Sequence, residues 1–133
     1  GCLMALTKVV FDMASGVEAA DADILKSNQT DTLTVGYDVT TFNAGTQSSG
    51  TFTPAPASGN IQRAVNGGAF TLAPPATDCA MIIQITNNAS AGVITTSGYT
   101  LVEGSFTTTN ADDFMVYVTR INGFSLLSIK ELQ

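Results

Sequence analysis

The carboxylates of the C-terminal third are the side chains with the clearest capacity for catalysis. Glu103, Asp112 and Asp113 lie close together in the sequence, and a pair of carboxylates can hydrolyse a glycosidic bond. These residues stand beside turn residues, however, where Asp commonly caps backbone amides. The chain has no His, which is the usual base beside a Ser or Cys nucleophile. We therefore predict that the chain is not an enzyme.

Two pairs of aspartates offer the oxygen ligands that Ca²⁺ prefers. They are Asp21 with Asp23, and Asp112 with Asp113. Neither pair fits the twelve-residue calcium loop, and turn or cap carboxylates explain both. With two Cys and no His, the chain also lacks a plausible set of zinc ligands. The sequence predicts no metal ion and no cofactor.

The two cysteines, Cys2 and Cys79, could form a disulfide bond. Cys79 lies in the most apolar stretch, residues 78–86, which favours a small buried residue over a reactive thiol. Cys2 can pair with Cys79, with a neighbouring subunit, or with nothing. The sequence leaves these alternatives open.

Three tyrosines are the remaining candidates for a binding site, because carbohydrate-binding proteins stack sugars on exposed aromatic rings. The chain has Tyr37, Tyr99 and Tyr117 and no Trp. Tyr37 and Tyr117 alternate in phase with apolar neighbours, which predicts that they lie in the core or at an interface.

Composition excludes two classes of partner. The five Lys and Arg residues are scattered and the net charge is −6, whereas nucleic-acid binding requires clustered cations. No apolar run is long enough to cross a membrane. Only 12% of the residues are charged, which fits either a surface held against neighbouring subunits or a monomer surface rich in Thr, Ser and Asn.

The elements that must position these residues are β-strands. Residues 114–130 alternate on either side of Asn122-Gly123, and this pair favours a type I′ turn and hence a terminal β-hairpin. A second hairpin is predicted around residues 66–68, with arms at residues 60–65 and 69–72. Residues 32–42 are predicted to form a strand, and the apolar run at residues 80–86 predicts a central one.

The close spacing of these short strands favours one fold class. We expect an all-β protein with an antiparallel, jelly-roll-like β-sandwich over residues 32–133. Residues 1–31 are expected to form an irregular N-terminal arm, with at most a short helix at residues 17–26. No repeat of fixed period is evident, which argues against a propeller or solenoid.

Several segments resemble a family of small proteins and C-terminal domains that are encoded among the virion structural genes of tailed bacteriophages and related prophages. The resemblance covers residues 36–133, about three-quarters of the chain. Its segments are YDVTTFNAGTQSSGTFTP at residues 37–54, NGGAFTLAPP at 66–75, ITNNASAG at 85–92, TTTN at 107–110 and RING at 120–123. The resemblance implies a β-type component of a phage particle.

From this resemblance we expect a head decoration (cement) protein on the outer surface of the virion, which stabilises the capsid through contacts between subunits. Its partners would be its own copies, a homotrimer by the resemblance, and the major capsid protein. The arm would pair with an exposed sheet edge. The alternatives are a tail, collar or fibre protein, or a carbohydrate-binding module that contacts the host surface.

Overall fold

The computed structural model describes residues 27–133, and the chain divides into two units, Gly1–Asp38 and Val39–Gln133. Residues 27–38 contain turns and bends and no helix or strand. The strand predicted over residues 32–42 is therefore wrong, because the first strand within residues 27–133 begins at Phe42. Thr and Val favour strands only where a neighbouring strand supplies a ladder. The helix predicted at residues 17–26 and most of the predicted arm lie outside the described residues.

Residues 39–133 form nine β-strands and one short 3₁₀ helix, Pro56–Ser58. The strands are β1 (Phe42–Gln47), β2 (Thr51–Phe52), β3 (Ile61–Asn66), β4 (Phe70–Leu72), β5 (Cys79–Asn87), β6 (Ile94–Thr95), β7 (Leu101–Glu103), β8 (Asp113–Ile121) and β9 (Phe124–Glu131). The order in a six-stranded sheet is β1-β3-β5-β8-β9-β7, and a three-stranded sheet has the order β2-β4-β6.

The first six strands form a short parallel β-solenoid of three coils. In each coil, one strand enters the large sheet and the next enters the small sheet. Phe42 pairs with Gln62, and Gln62 pairs with Ile83, so each coil lies directly on the one before it. In the small sheet Thr71 stands between Thr51 and Thr95. A coil therefore takes about twenty residues.

The all-β prediction is confirmed, but the arrangement predicted for it is wrong. Five of the seven strand pairings are parallel, and only β5–β8 and β8–β9 are antiparallel. An antiparallel jelly-roll sandwich does not contain such parallel stacks. A solenoid, which the lack of an evident repeat argued against, is the arrangement that β1 to β6 adopt.

The hairpin predicted around residues 66–68 is wrong for a related reason. β3 and β4 do not pair with each other, since Gly67 and Gly68 carry the chain from the large sheet to the small one. This corner is tight, and a Cβ atom on Gly68 would lie 2.8 Å from the carbonyl oxygen of Ser48 in the preceding coil. The two glycines therefore serve the close approach of successive coils and not a hairpin turn.

The C-terminal hairpin is confirmed. β8 and β9 pair antiparallel up to Ile121 and Phe124. Asn122 and Gly123 have φ angles of 51° and 80°, which is the left-handed backbone that a type I′ turn requires. The hairpin extends the large sheet beyond the solenoid, because β8 pairs with β5, and β7 is added in parallel to β9.

The core lies on the inner face of the six-stranded sheet, which is covered by the small sheet and by the segments that follow β6 and β7. Alternate residues of β5, β8 and β9 are buried, as the period of two in a strand dictates. The ring of Phe106 packs edge-on against Phe114, with the centroids 5.2 Å apart. The buried apolar residues are Ala64, Phe70, Leu72, Met81, Ile83, Ile85, Ile94, Phe114, Val116, Val118, Leu127 and Ile129.

Candidate interaction surface

A corner of buried asparagines holds successive coils in place. The side-chain amide of Asn66 donates to Asn87 Oδ1 at 3.0 Å and to the carbonyl oxygen of Gly92 at 2.9 Å. Its own Oδ1 accepts from the backbone N–H of Gly92 at 3.1 Å. Asn87 in turn donates to the carbonyl oxygen of Thr107 at 2.8 Å. Because these buried polar groups are bonded to the main chain, they fix the positions of β3 and β5.

The outer face of the six-stranded sheet bears a continuous set of apolar side chains. Their positions follow from the strand register, in which partners across neighbouring strands stand side by side. The rows are Ile61, Ile82 and Tyr117, then Thr119, Leu126 and Leu101, then Ile121 and Phe124. The apolar set therefore runs from β3 across the sheet to β7.

Five of these side chains are strongly exposed and form what we call the apolar patch: Leu101, Tyr117, Ile121, Phe124 and Leu126. Their exposed fractions range from 36% for Leu126 to 66% for Phe124. A shallow groove of about 320 Å³ runs through the patch and is lined mainly by apolar atoms. A contiguous apolar surface of this kind is the usual mark of a binding site for another protein.

The charged groups of the outer face are balanced in sign. Arg63 and Lys130 project from it, as do Glu103 and Asp113. Asp113 is already bonded, because Gln84 donates to its Oδ1 at 3.0 Å and the Thr86 hydroxyl donates to the same atom. The face therefore has no net charge, although the whole chain carries −6.

The sheet edges are poorly suited to pairing with another strand. β1 is interrupted by a bulge between Asn43 and Thr46, where Gly45 has a φ angle of 79°. β2 has two residues and β7 has three. Bulges and short edge strands protect a sheet from edge-to-edge pairing. The face of the sheet is thus a better binding surface than its edges.

Two of the three candidate carboxylates, Glu103 and Asp113, lie too far apart to form a catalytic pair. Glu103 and Asp113 lie on the same face, but the register separates them by two strands and four residues. Their Cα atoms are therefore about 16 Å apart, beyond the roughly 5–9.5 Å between the carboxyl groups of glycosidases. Asp112 accepts a hydrogen bond from the Thr107 hydroxyl.

The structure holds Cys79 as a free thiol at the start of β5, packed against the core. Burial raises the pKa of this thiol, and the carboxylate of Asp78 acts in the same direction, while the nearby Arg120 opposes them. A raised pKa lowers the thiolate fraction. Cys2 and the pair Asp21 and Asp23 lie outside the described residues.

The tyrosines occupy three different environments. Tyr99 is partly buried against the core, and its hydroxyl donates to the carbonyl oxygen of Ala73 at 2.9 Å. Burial raises the pKa of this phenol above its ordinary value. Tyr117 belongs to the apolar patch and Tyr37 is exposed, so neither lies in the core.

Sequence reasoning missed most of the apolar patch, although a signal was present. A strand with one face in water alternates apolar with polar residues. β9 does not do this, because Phe124 and Leu126 on the outer face are as apolar as Leu127 and Ile129 on the inner face. When a strand has apolar residues on both faces, we expect each face to be covered, one by the core and the other by a binding partner.

Comparison of the chain with protein-family models, with curated proteins and with solved structures finds no match in any of the three. Within residues 27–133, no three or more His, Cys, Asp or Glu side chains cluster in a way that would hold a metal ion. The same residues contain no helix of the length and hydropathy that a membrane span requires.

Proposed function

We propose that this chain is a structural protein of a bacteriophage particle, most specifically a head decoration protein that stabilises the capsid through contacts between subunits. The apolar patch is the observation that supports the proposal. Burial of apolar surface is the dominant favourable contribution to most protein association, and the patch offers five large side chains for this purpose.

The rest of the fold suits the same role. A binding face that needs no rearrangement favours association, since ordering side chains and loops on binding costs free energy. The asparagine corner bonds adjacent coils to each other, and the hairpin that carries most of the patch pairs along the full length of β5. The resemblance to virion proteins then supports further copies of the chain, together with capsid proteins, as the neighbours.

A tail, collar or fibre component is the second candidate. Within residues 39–133, β1 and β2 each pair on one side only. The first coil is therefore the place where a further parallel coil would stack, as in a domain attached to a longer fibre. The bulge in β1 disfavours pairing with a further strand at this edge and therefore favours the decoration role.

Quantitative mass spectrometry of purified phage particles tests the proposal by counting copies of the chain. Hundreds of copies per particle are expected of a decoration protein. Tens or fewer would transfer the proposal to the tail, collar or fibre. Absence of the chain from particles of a phage that expresses it would overturn both.

The outer face itself can be tested in the same particles. We expect Phe124→Ser to lower the copy number at least tenfold, because the ring is 66% exposed in the chain and is buried on binding. The matched control is Val93→Ser, which changes a side chain that is 67% exposed on the connection between β5 and β6. An equal loss for both variants would show that the patch is not the contact.

A further inference from the structure

We propose that the outer face of the six-stranded sheet packs against the same face of a second copy of this chain, related by a twofold axis that runs along β8. This inference deepens the proposed function, since it names the partner of the face on which that function rests. The occupant follows from three properties of the face: its area, its charge pattern and the sizes of the side chains that would meet.

The area of the face fits a stable interface. Six strands span five gaps of about 4.8 Å, or about 24 Å, and the nine residues of β8 span about 30 Å. Because β1, β3 and β7 are shorter than β8, the 41 residues of the six strands cover about 650 Å². Stable protein pairs bury about 800 Å² on each partner, so the face of one copy matches the face of another with little surface left over.

The axis brings charges of opposite sign toward each other on the outer strands, while Asp113 on β8 meets its own counterpart with its Oδ1 already accepting hydrogen bonds from Gln84 and Thr86. β3 lies two strands from β8 on one side, and β7 lies two strands from it on the other. A twofold axis along β8 therefore superimposes β7 of one copy on β3 of the other. Glu103 is then offset from Arg63 of the partner subunit by one register row, about 7 Å along the strand, and their Cα atoms lie about 12 Å apart across the two sheets, within reach of the two long side chains. The pair occurs twice, as in every isologous interface.

Side-chain sizes are complementary under the same axis. Leu126 on β9 comes opposite Ala80 of the partner subunit on β5, because both pair with Thr119 of β8. Ile121 and Tyr117 lie on the axis strand itself and meet their own counterparts. A large residue thus opposes a small one beside the axis, while large residues meet on it. Two aligned sheets pack about 10 Å apart.

Sedimentation velocity over a range of concentrations, from low micromolar to submillimolar, tests the pair on the full chain. We expect the unaltered chain to form a dimer. Ile121→Ser should raise the dissociation constant at least tenfold, whereas Val93→Ser, at nearly the same exposed fraction, should leave it unchanged. Equal effects of the two variants would overturn the proposal.

Charge reversal tests the axis. Glu103→Arg and Arg63→Glu should each raise the dissociation constant several-fold, because each places like charges opposite one another. The double variant should recover most of the affinity. Failure of this recovery would overturn the twofold axis along β8, as would a trimer as the smallest associated species.

Failure of the pair and failure of the proposed function are distinguishable. A chain that stays monomeric at submillimolar concentration overturns the pair. If Phe124→Ser still prevents incorporation into particles, the proposed function stands. If the dimer forms but particles lack the chain, the pair stands and the proposed function fails.

Discussion

The inner and outer faces of the six-stranded sheet each depart in one respect from the usual distribution of polarity. Toward the interior, the molecule buries the polar side chains Gln62, Asn66, Asn87 and Ser125. On the outer face it exposes the apolar patch. The buried amides bond to backbone groups that would otherwise lack partners, whereas the exposed apolar groups contribute little to folding. The buried residues of the inner face therefore stabilise the fold, whereas the apolar patch on the outer face is available to bind a partner.

The largest expected effect comes from a comparison of the two faces, in which one isoleucine on each face is replaced by alanine. Ile83→Ala on the inner face should lower the free energy of unfolding by about 2–5 kcal/mol, because Ile83 has no exposed surface and its truncation leaves a cavity. Ile121→Ala on the outer face, where the side chain is 65% exposed, should change it by less than about 0.5 kcal/mol. Chemical denaturation of dilute protein measures both values.

Dilute protein is required because self-association would add the free energy of dimer formation to the measured free energy of unfolding. If Ile121→Ala were as destabilising as Ile83→Ala in the monomer, the outer face would be part of the fold. The distinction between the two faces would then be lost, and with it the basis for a docking surface.

A somewhat smaller loss is expected at the asparagine corner. Asn66→Ala removes the partners of the backbone N–H groups of Gly68 and Gly92 and of the carbonyl oxygen of Gly92. Buried groups without partners cost about 1–3 kcal/mol each, and relaxation of the corner reduces the sum, so we expect a loss of about 3 kcal/mol.

Asn43→Ala is the matched control for the corner. Asn43 is exposed on β1, where its Oδ1 accepts from the backbone N–H of Gly45, and we expect a change within about 0.5 kcal/mol. The same denaturation experiment measures both variants. A loss at Asn66 no greater than the loss at Asn43 would contradict the view that the corner holds the coils together.

The sequence predicted local features of the fold well. The terminal hairpin was predictable because Asn122-Gly123 determines a turn through its own backbone preferences. The central strand at residues 80–86 was predictable because a short, nearly continuous apolar run is typical of a strand that is covered on both faces. Both signals are contained within a few neighbouring residues.

The arrangement of strands was not predictable in the same way, because it depends on contacts about twenty residues apart. The sequences TFTP at residues 51–54 and TLAP at residues 71–74 occupy equivalent places in successive coils. Two imperfect copies do not stand out as a repeat. Asn66-Gly67-Gly68 has a composition that serves a hairpin or a solenoid corner equally well.

The candidate site was predictable only in part. Tyr117 was expected in the core or at an interface, and it lies in the apolar patch. For Ile121 and Phe124, the sequence predicted only that they are strand residues on either side of a turn. Their exposure depends on which neighbours cover the hairpin, and that is a property of the tertiary arrangement.

The smallest expected effect compares a tyrosine of the interior with one of the outer face. Tyr99→Phe removes the hydrogen bond to the carbonyl oxygen of Ala73 and should cost about 1 kcal/mol at neutral pH. Tyr117→Phe, on the outer face, should cost less than about 0.5 kcal/mol in dilute protein.

The pH dependence of stability sharpens this last comparison. Burial raises the pKa of Tyr99 in the folded chain, so below about pH 10 the phenol is protonated in both states and its full contribution to stability is present. Above that pH the unfolded chain releases the proton while the folded chain retains it, and the free energy of unfolding falls. Denaturation at pH 9 and at pH 11 should therefore show a smaller drop for Tyr99→Phe than for the unaltered chain. An unchanged drop in Tyr99→Phe would mean that the phenol titrates alike in the folded and unfolded chains, contrary to its place against the core.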